Sequence, residues 1–134
     1  MNITFLYLYL ISLPFFFVID LLWLGWLGRG IYQSQLGHLL GAINWPAAIG
    51  FYLVYLVGLT YFAIAPAYAT GSFVTAILLG GMFGFFTYAT YDMTNLATLD
   101  GWPWQIVVID IVWGTILGAS VTVGTIWFAG WLLG

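Results

Sequence analysis

Three aspartates, Asp20, Asp92 and Asp110, stand inside apolar runs of a 134-residue chain that has almost no other charge. The remaining ionisable groups of note are Asp100, Arg29 and His38, and there is no Lys or Glu. An ionised Asp at the centre of a membrane helix costs on the order of 2.5–3.5 kcal/mol on insertion-based scales, so such residues are rarely idle. Carboxyls in that setting can share a proton, work as a general acid and base, or hold a hard divalent cation. Carboxylates and a single His suit Mg²⁺ or Mn²⁺ better than zinc, but no established ligand spacing is present and no metal site is assigned.

Composition fixes the class of protein that positions these acids. Hydrophobic residues make up 64% of the chain and charged ones 4%, with a mean hydropathy of +1.11. A soluble domain carries roughly 25% charge, so this surface is built for lipid. The length allows one compact membrane domain spanning residues 1–134. One Arg cannot neutralise a phosphate backbone, which excludes nucleic acid as a partner. Without Cys there is no disulfide framework, thiolate metal site or thiol nucleophile.

Four apolar runs are long enough to cross a bilayer at ~1.5 Å rise per residue. They cover approximately residues 3–27, 46–65, 72–91 and 103–131. The expected fold is all-α: an antiparallel bundle of four transmembrane helices. The first run lacks a basic n-region and a small-residue cleavage site, and reads as a retained helix that Pro14 should kink. Trp45-Pro46 and Trp102-Pro103 place Pro at helix starts and Trp at the interface, and Ala65-Pro66 should end the second helix. In the connection from Gly28 to Asn44, Tyr32, Leu36, Leu39, Leu40 and Ile43 recur at helical spacing, which predicts a short amphipathic helix in the interface.

Helix order turns this pattern into geometry. Asp20 lies about seven residues before the end of helix one, and Asp110 about seven after the start of helix four, each roughly 10 Å deep. Asp92 is expected to close helix three. All three belong to one leaflet, together with Arg29, His38, Asn44, Asn95 and Asp100. Gly80, Gly84, Tyr88, Asp92 and Asn95 share one stripe of helix three, and Asp110, Gly114 and Gly118 share one of helix four. Packing of these small-residue stripes would bring Asp92 and Asp110 to the end of one seam, where two close carboxyls share a proton. Tyr88, Tyr91, Thr87 and Thr94 are the nearby donors.

Each residue also has a plain structural reading. The glycines are packing residues; Asp92 caps a turn in Asp-Met-Thr-Asn; Asp20 and Asp110 are neutral struts between helices. Arg29 anchors the interface or pairs with an acid, and His38 is a solvated interfacial residue. The eight Trp and nine Tyr read mostly as interfacial belts and lipid contacts. Val18-Ile19-Asp20-Leu21-Leu22-Trp23 echoes Val108-Ile109-Asp110-Ile111-Val112-Trp113, by chance or by an inverted duplication.

The stretch Tyr91-Asp92-Met93-Thr94-Asn95-Leu96-Ala97-Thr98-Leu99, followed by Gly101-Trp102-Pro103, resembles the hallmark of an uncharacterised family of small four-helix bacterial membrane proteins. The resemblance extends to Ile19 through Gly25, Gln35 through Leu40, Asn44 through Ala48 and Asp110 through Gly114. It implies the four-span topology and a bacterial inner-membrane setting, and supplies no reaction. Basic residues in that family's first loop imply a cytoplasmic polar side, for which this chain retains Arg29. The leading functional reading is a one-sided acidic pocket for a small ligand, cation or lipid headgroup. Asp20, Asp92 and Asp110 form it, with Tyr88, Tyr91, Thr94, Asn95, His38, Arg29 and Asn44 around them. Its rivals are a lipid-modifying enzyme, a proton or cation transporter acting as a homo-oligomer, and an accessory subunit of a larger membrane complex. No cofactor is indicated beyond the divalent cation considered above.

Overall fold

The computed structural model describes residues 2–134, and among these every regular element is helical. Helix α1 (Ile3–Leu22) starts at Asn2, whose Oδ1 accepts from the Phe5 N–H at 2.8 Å. It runs through Pro14 and widens into a π-helical turn, Trp23–Leu27, closed by the Gly28 N–H on the Trp23 carbonyl at 2.7 Å. The short helix α2 (Arg29–Leu36) follows. Helix α3 (Trp45–Leu59) is capped by Asn44, which accepts from the Ala47 N–H at 3.1 Å, and has Pro46 in its first turn, where no N–H is missed. A second π-helical turn, Thr60–Ile64, leads into α4 (Ala65–Thr70). Helices α5 (Phe73–Thr98) and α6 (Trp104–Leu133) complete the chain. Among the described residues, four continuous segments are long and apolar enough to cross a membrane: Ile3–Leu27, Trp45–Thr70, Phe73–Thr98 and Trp104–Leu133.

Two boundaries differ from the sequence expectation. Pro66 does not end the second span, which continues to Thr70. Proline removes a hydrogen bond and crowds the carbonyl four residues back. Here the turn ahead of it is already widened, with the Ala65 N–H reaching the Thr60 carbonyl, so the helix absorbs the ring. Gly71, at φ +67°, makes the stop instead, and its N–H reaches the Ala67 carbonyl at 3.0 Å. The third span likewise continues past Tyr91 to Thr98. Asp92 is therefore neither a helix end nor a turn cap. The hydroxyls of this stretch are satisfied within the helix by returning to carbonyls one turn back: Thr90 to Phe86 at 2.6 Å and Thr98 to Thr94 at 2.8 Å.

Packing is uneven across the molecule. A Cβ added at Gly84 would run into the Gly114 carbonyl, and one at Gly118 into that of Gly80, so the α5 and α6 backbones touch. The pairs 80–118 and 84–114 also show that these two helices run in opposite directions. Since lipid is as apolar as a side chain, close dispersion contact is what holds such a seam. Helix α1 packs on α6, with the Phe15 ring over Gly124, and on α3, through Phe16 and Tyr52 at 5.1 Å between ring centroids. The buried core gathers Leu8, Phe16, Leu56, Leu59, Ala63, Ile64, Leu117 and Val121. Residues Thr60–Thr70 close against α5 and α6, whereas α3 barely meets α5.

Candidate functional site

The three membrane-level acids lie at matching depths. Asp20 is seven residues before the end of the first span at Leu27, Asp92 six before Thr98, and Asp110 seven after Pro103. Each is thus roughly 10 Å in from its helix end. All are buried, Asp92 completely. Extension of α5 to Thr98 places Asp92 level with the other two instead of at a boundary.

The two echoing segments serve each other's acids. Trp23 and Trp113 each follow an Asp by three residues, on the same helix face. Their indoles stack at 4.8 Å with 13° between planes. The Trp113 Nε1–H donates to Asp20 Oδ1 at 3.3 Å. The Trp23 Nε1–H donates to the Tyr32 hydroxyl at 2.9 Å, and that hydroxyl donates to Asp110 Oδ1. Each Trp therefore reaches the acid of the opposite helix, one directly and one through Tyr32. The π-helical turn after Asp20 carries Trp23, and Gly28 leaves room for its ring: a Cβ there would sit 2.7 Å from the indole.

Burial and the hydrogen bond to Asp110 push the Tyr32 hydroxyl well above the ordinary phenol range, so it stays a donor. The Tyr52 hydroxyl lies beside Asp20. The Asp92 carboxyl lies beside that of Asp110. Neither oxygen of Asp92 meets another donor among the described residues.

A cavity of about 720 Å³ fills the space that α3 leaves against α5. Asp20, Asp110, Tyr32 and Trp113 line its polar end; Phe51, Val54, Gly58, Phe62 and Phe83 line the rest, with Tyr52, Tyr55, Thr87, Tyr88 and Tyr91 between. Val54 and Phe62 are exposed on the outer surface, so the cleft opens sideways towards the place of lipid. A groove of about 370 Å³ continues along α5 past the stacked Phe62 and Phe83 rings, over Leu79, Met82 and Phe86.

The expected site residues separate into two groups. Asp20, Asp110, Tyr88 and Tyr91 line the cleft, and Asp92 stands directly behind Asp110. The Tyr88 ring lies on Gly114, where any side chain would collide with it. Asn95 lies one turn beyond Tyr91 as its hydrogen-bonding neighbour, outside the cleft lining. The others lie elsewhere. Asn44 caps α3, Thr94 is exposed, and Arg29 is exposed at the start of α2. His38 is exposed and contacts the Gly101 carbonyl at 3.2 Å, tying the first loop to the third. No three acid or imidazole side chains among the described residues converge as a metal site.

Tyr32, Tyr52, Trp23 and Trp113 were not among the sequence candidates. The i, i+3 spacing of Asp and Trp in both echoing segments was the available signal. Tyr32 gave none, because its place on the apolar stripe of a short helix fits a lipid contact equally well.

No curated protein and no solved structure is significantly similar to this chain. The model of one family, described as "Predicted membrane protein (DUF2177)", matches residues 5–127. A multi-pass helical architecture accompanies that match over nearly the whole chain, and the chain belongs to this family of membrane proteins of unknown function.

Proposed function

We propose that the cleft between α3 and α5 binds a membrane-soluble amphiphile with a cationic headgroup. The head sits against Asp20 and Asp110, and the hydrocarbon portion lies among Phe51, Phe62 and Phe83. The observation that supports this most is the shape and polarity of the cavity. It is open towards the lipid, carries acids at one end only, and is aromatic along the rest. Its size lies within the ~300–1,000 Å³ of small-molecule sites, far more than a bare ion needs. Arg29 and His38 are exposed and do not line the cleft, so a cation bound there meets the acids without a competing basic side chain. Aromatic residues, Tyr52 and Trp113 among them, line the cleft beside the acids, a composition that suits an organic cation. An organic cation also suits the absence of three converging metal ligands among the described residues better than Mg²⁺ does.

The setting we propose is the bacterial inner membrane, with the acidic end facing the cytoplasm. Arg29 lies at that end, as the positive-inside rule favours. The experiment is native mass spectrometry of the protein extracted with its surrounding lipid. Wild type should retain an amine-bearing lipid or amphiphile enriched over the bulk membrane, and Asp20→Asn with Asp110→Asn should release it. A bound fraction that mirrors the bulk membrane in both proteins overturns the reading.

A further inference from the structure

Asp92 takes no part in lining the cleft, yet it is the most deeply buried acid and its oxygens have no donor apart from the neighbouring carboxyl. Two carboxyls in contact form a hydrogen bond only while one of them carries a proton. Asp110 already accepts from Tyr32. With Asp92 protonated and donating, Asp110 accepts from Tyr32 on one side and from Asp92 on the other. A carboxylate held by two donors is the form best fitted to face a cation. The same carboxyl, with no cation present, sits in a dry aromatic wall where the neutral acid is favoured.

We infer that Asp110 exchanges its proton for the cationic headgroup, while Asp92 and Tyr32 act as fixed donors that position and stabilise the ionised carboxylate. The step is a one-for-one exchange. Asp110–COOH and the cation give the Asp110–COO⁻ cation pair and one proton, which leaves to water at the acidic end of the bundle. Charge in the cleft is zero before and after. Binding of proton and ligand is mutually exclusive at this one group, so each weakens the other by the same factor.

The titratable groups around the pair are Asp20 from α1, Tyr32 from α2, and Tyr88 and Tyr91 from α5, with Tyr52 and Tyr55 across the cleft on α3. The tyrosines are donors at neutral pH. Asp20 has its own partners in Trp113 and Tyr52. Asp110 alone touches both a fixed donor from α2 and a second carboxyl.

The inference rests on the reading of the cleft as a cation site, and tetraphenylphosphonium serves as the probe. Its affinity for purified wild type in lipid nanodiscs should fall tenfold per pH unit below a midpoint. At a pH below that midpoint about one proton should be released per probe bound, falling to none above it, read by calorimetry in buffers of different ionisation enthalpy. Asp110→Asn should abolish the proton release. Tyr32→Phe and Asp92→Ala each remove a donor to the carboxylate, and should move the midpoint to higher pH by a unit or more. Asp92→Asn keeps an N–H donor and should restore a near-wild-type midpoint. A midpoint unmoved by Tyr32→Phe and Asp92→Ala, or shifted equally by Asp92→Asn and Asp92→Ala, overturns the inference. Proton release that survives Asp110→Asn also overturns it. Absence of probe binding at every pH overturns instead the cation reading of the cleft.

Discussion

Helix α5 meets two neighbours in opposite ways. Against α6 it presents Gly80 and Gly84, and the backbones touch. Against α3 it presents Phe83, Thr87, Tyr88 and Tyr91; the Phe83 ring packs on Gly58 and Tyr55, and the cleft opens beside that aromatic contact. In lipid no water is expelled from either contact, so side-chain size decides how near two helices come. Small residues close one face of α5 into a seam, and aromatic residues hold the other apart. The acids sit where the two regimes meet: Asp92 and Asp110 at the end of the seam, Asp110 and Asp20 on the wall of the cleft.

The comparison breaks most severely at the seam. Gly84→Leu drives a side chain into the Gly114 carbonyl, which cannot yield without moving α6. The expected cost is about 3 kcal/mol or more, read as loss of folded protein in a detergent unfolding titration. Wild-type stability for this variant would mean the backbones are not in contact. Next in size is an effect on the cleft alone. Filling it with Val54→Trp should lower probe affinity at least tenfold while leaving the unfolding midpoint close to wild type. An unfolding midpoint that drops with it would show α3 to be part of the tight core.

Trp113→Phe keeps a ring in the indole stack and removes the N–H from Asp20, a hydrogen bond expected to contribute about 1 kcal/mol. Thermal unfolding in nanodiscs measures it, and a neutral result would mean Asp20 is served by Tyr52 alone. Tyr32 adds a pH dependence with a definite sign. Its folded hydroxyl is held above its unfolded value of about 10 by burial and Asp110. The stability it contributes is complete below about pH 10 and is lost as the pH rises through the folded value. Stability of wild type should decline on that alkaline limb, and Tyr32→Phe should flatten it. The smallest effect belongs to His38→Ala, outside both regions, where a change within about 0.5 kcal/mol is expected.

Much of this architecture was legible in residue pattern. Span existence followed from hydropathy, helix starts from Pro46 and Pro103, and the α5–α6 contact from glycines four apart. The boundaries at Pro66 and Asp92 were not legible, for a shared reason. At Pro66 the helix continues through a widened turn, and around Asp92 the threonine hydroxyls are satisfied by carbonyls of their own helix, neither of which changes average hydropathy. The position of Asp92 along its helix was therefore misjudged, while its nearness to Asp110 was not. The Trp residues were read as interfacial belts because abundance hides placement. Only the fold shows that the two D-x-x-W segments cross, so that Trp23 and Trp113 stack and reach opposite acids. Tyr32 had to be seen against Asp110, seventy-eight positions away, before its role could be read.

The most direct test of the central claim is an experimental structure of the wild-type protein in lipid nanodiscs carrying an amine-bearing amphiphile. The account predicts elongated density entering between α3 and α5, its head within hydrogen-bonding distance of Asp20 and Asp110 and its tail passing Phe62 and Phe83. A structure in which α3 closes on α5 and α6 so that the acids lie in a dry contact, with no cavity left between Asp20, Asp110 and Phe51, would contradict it.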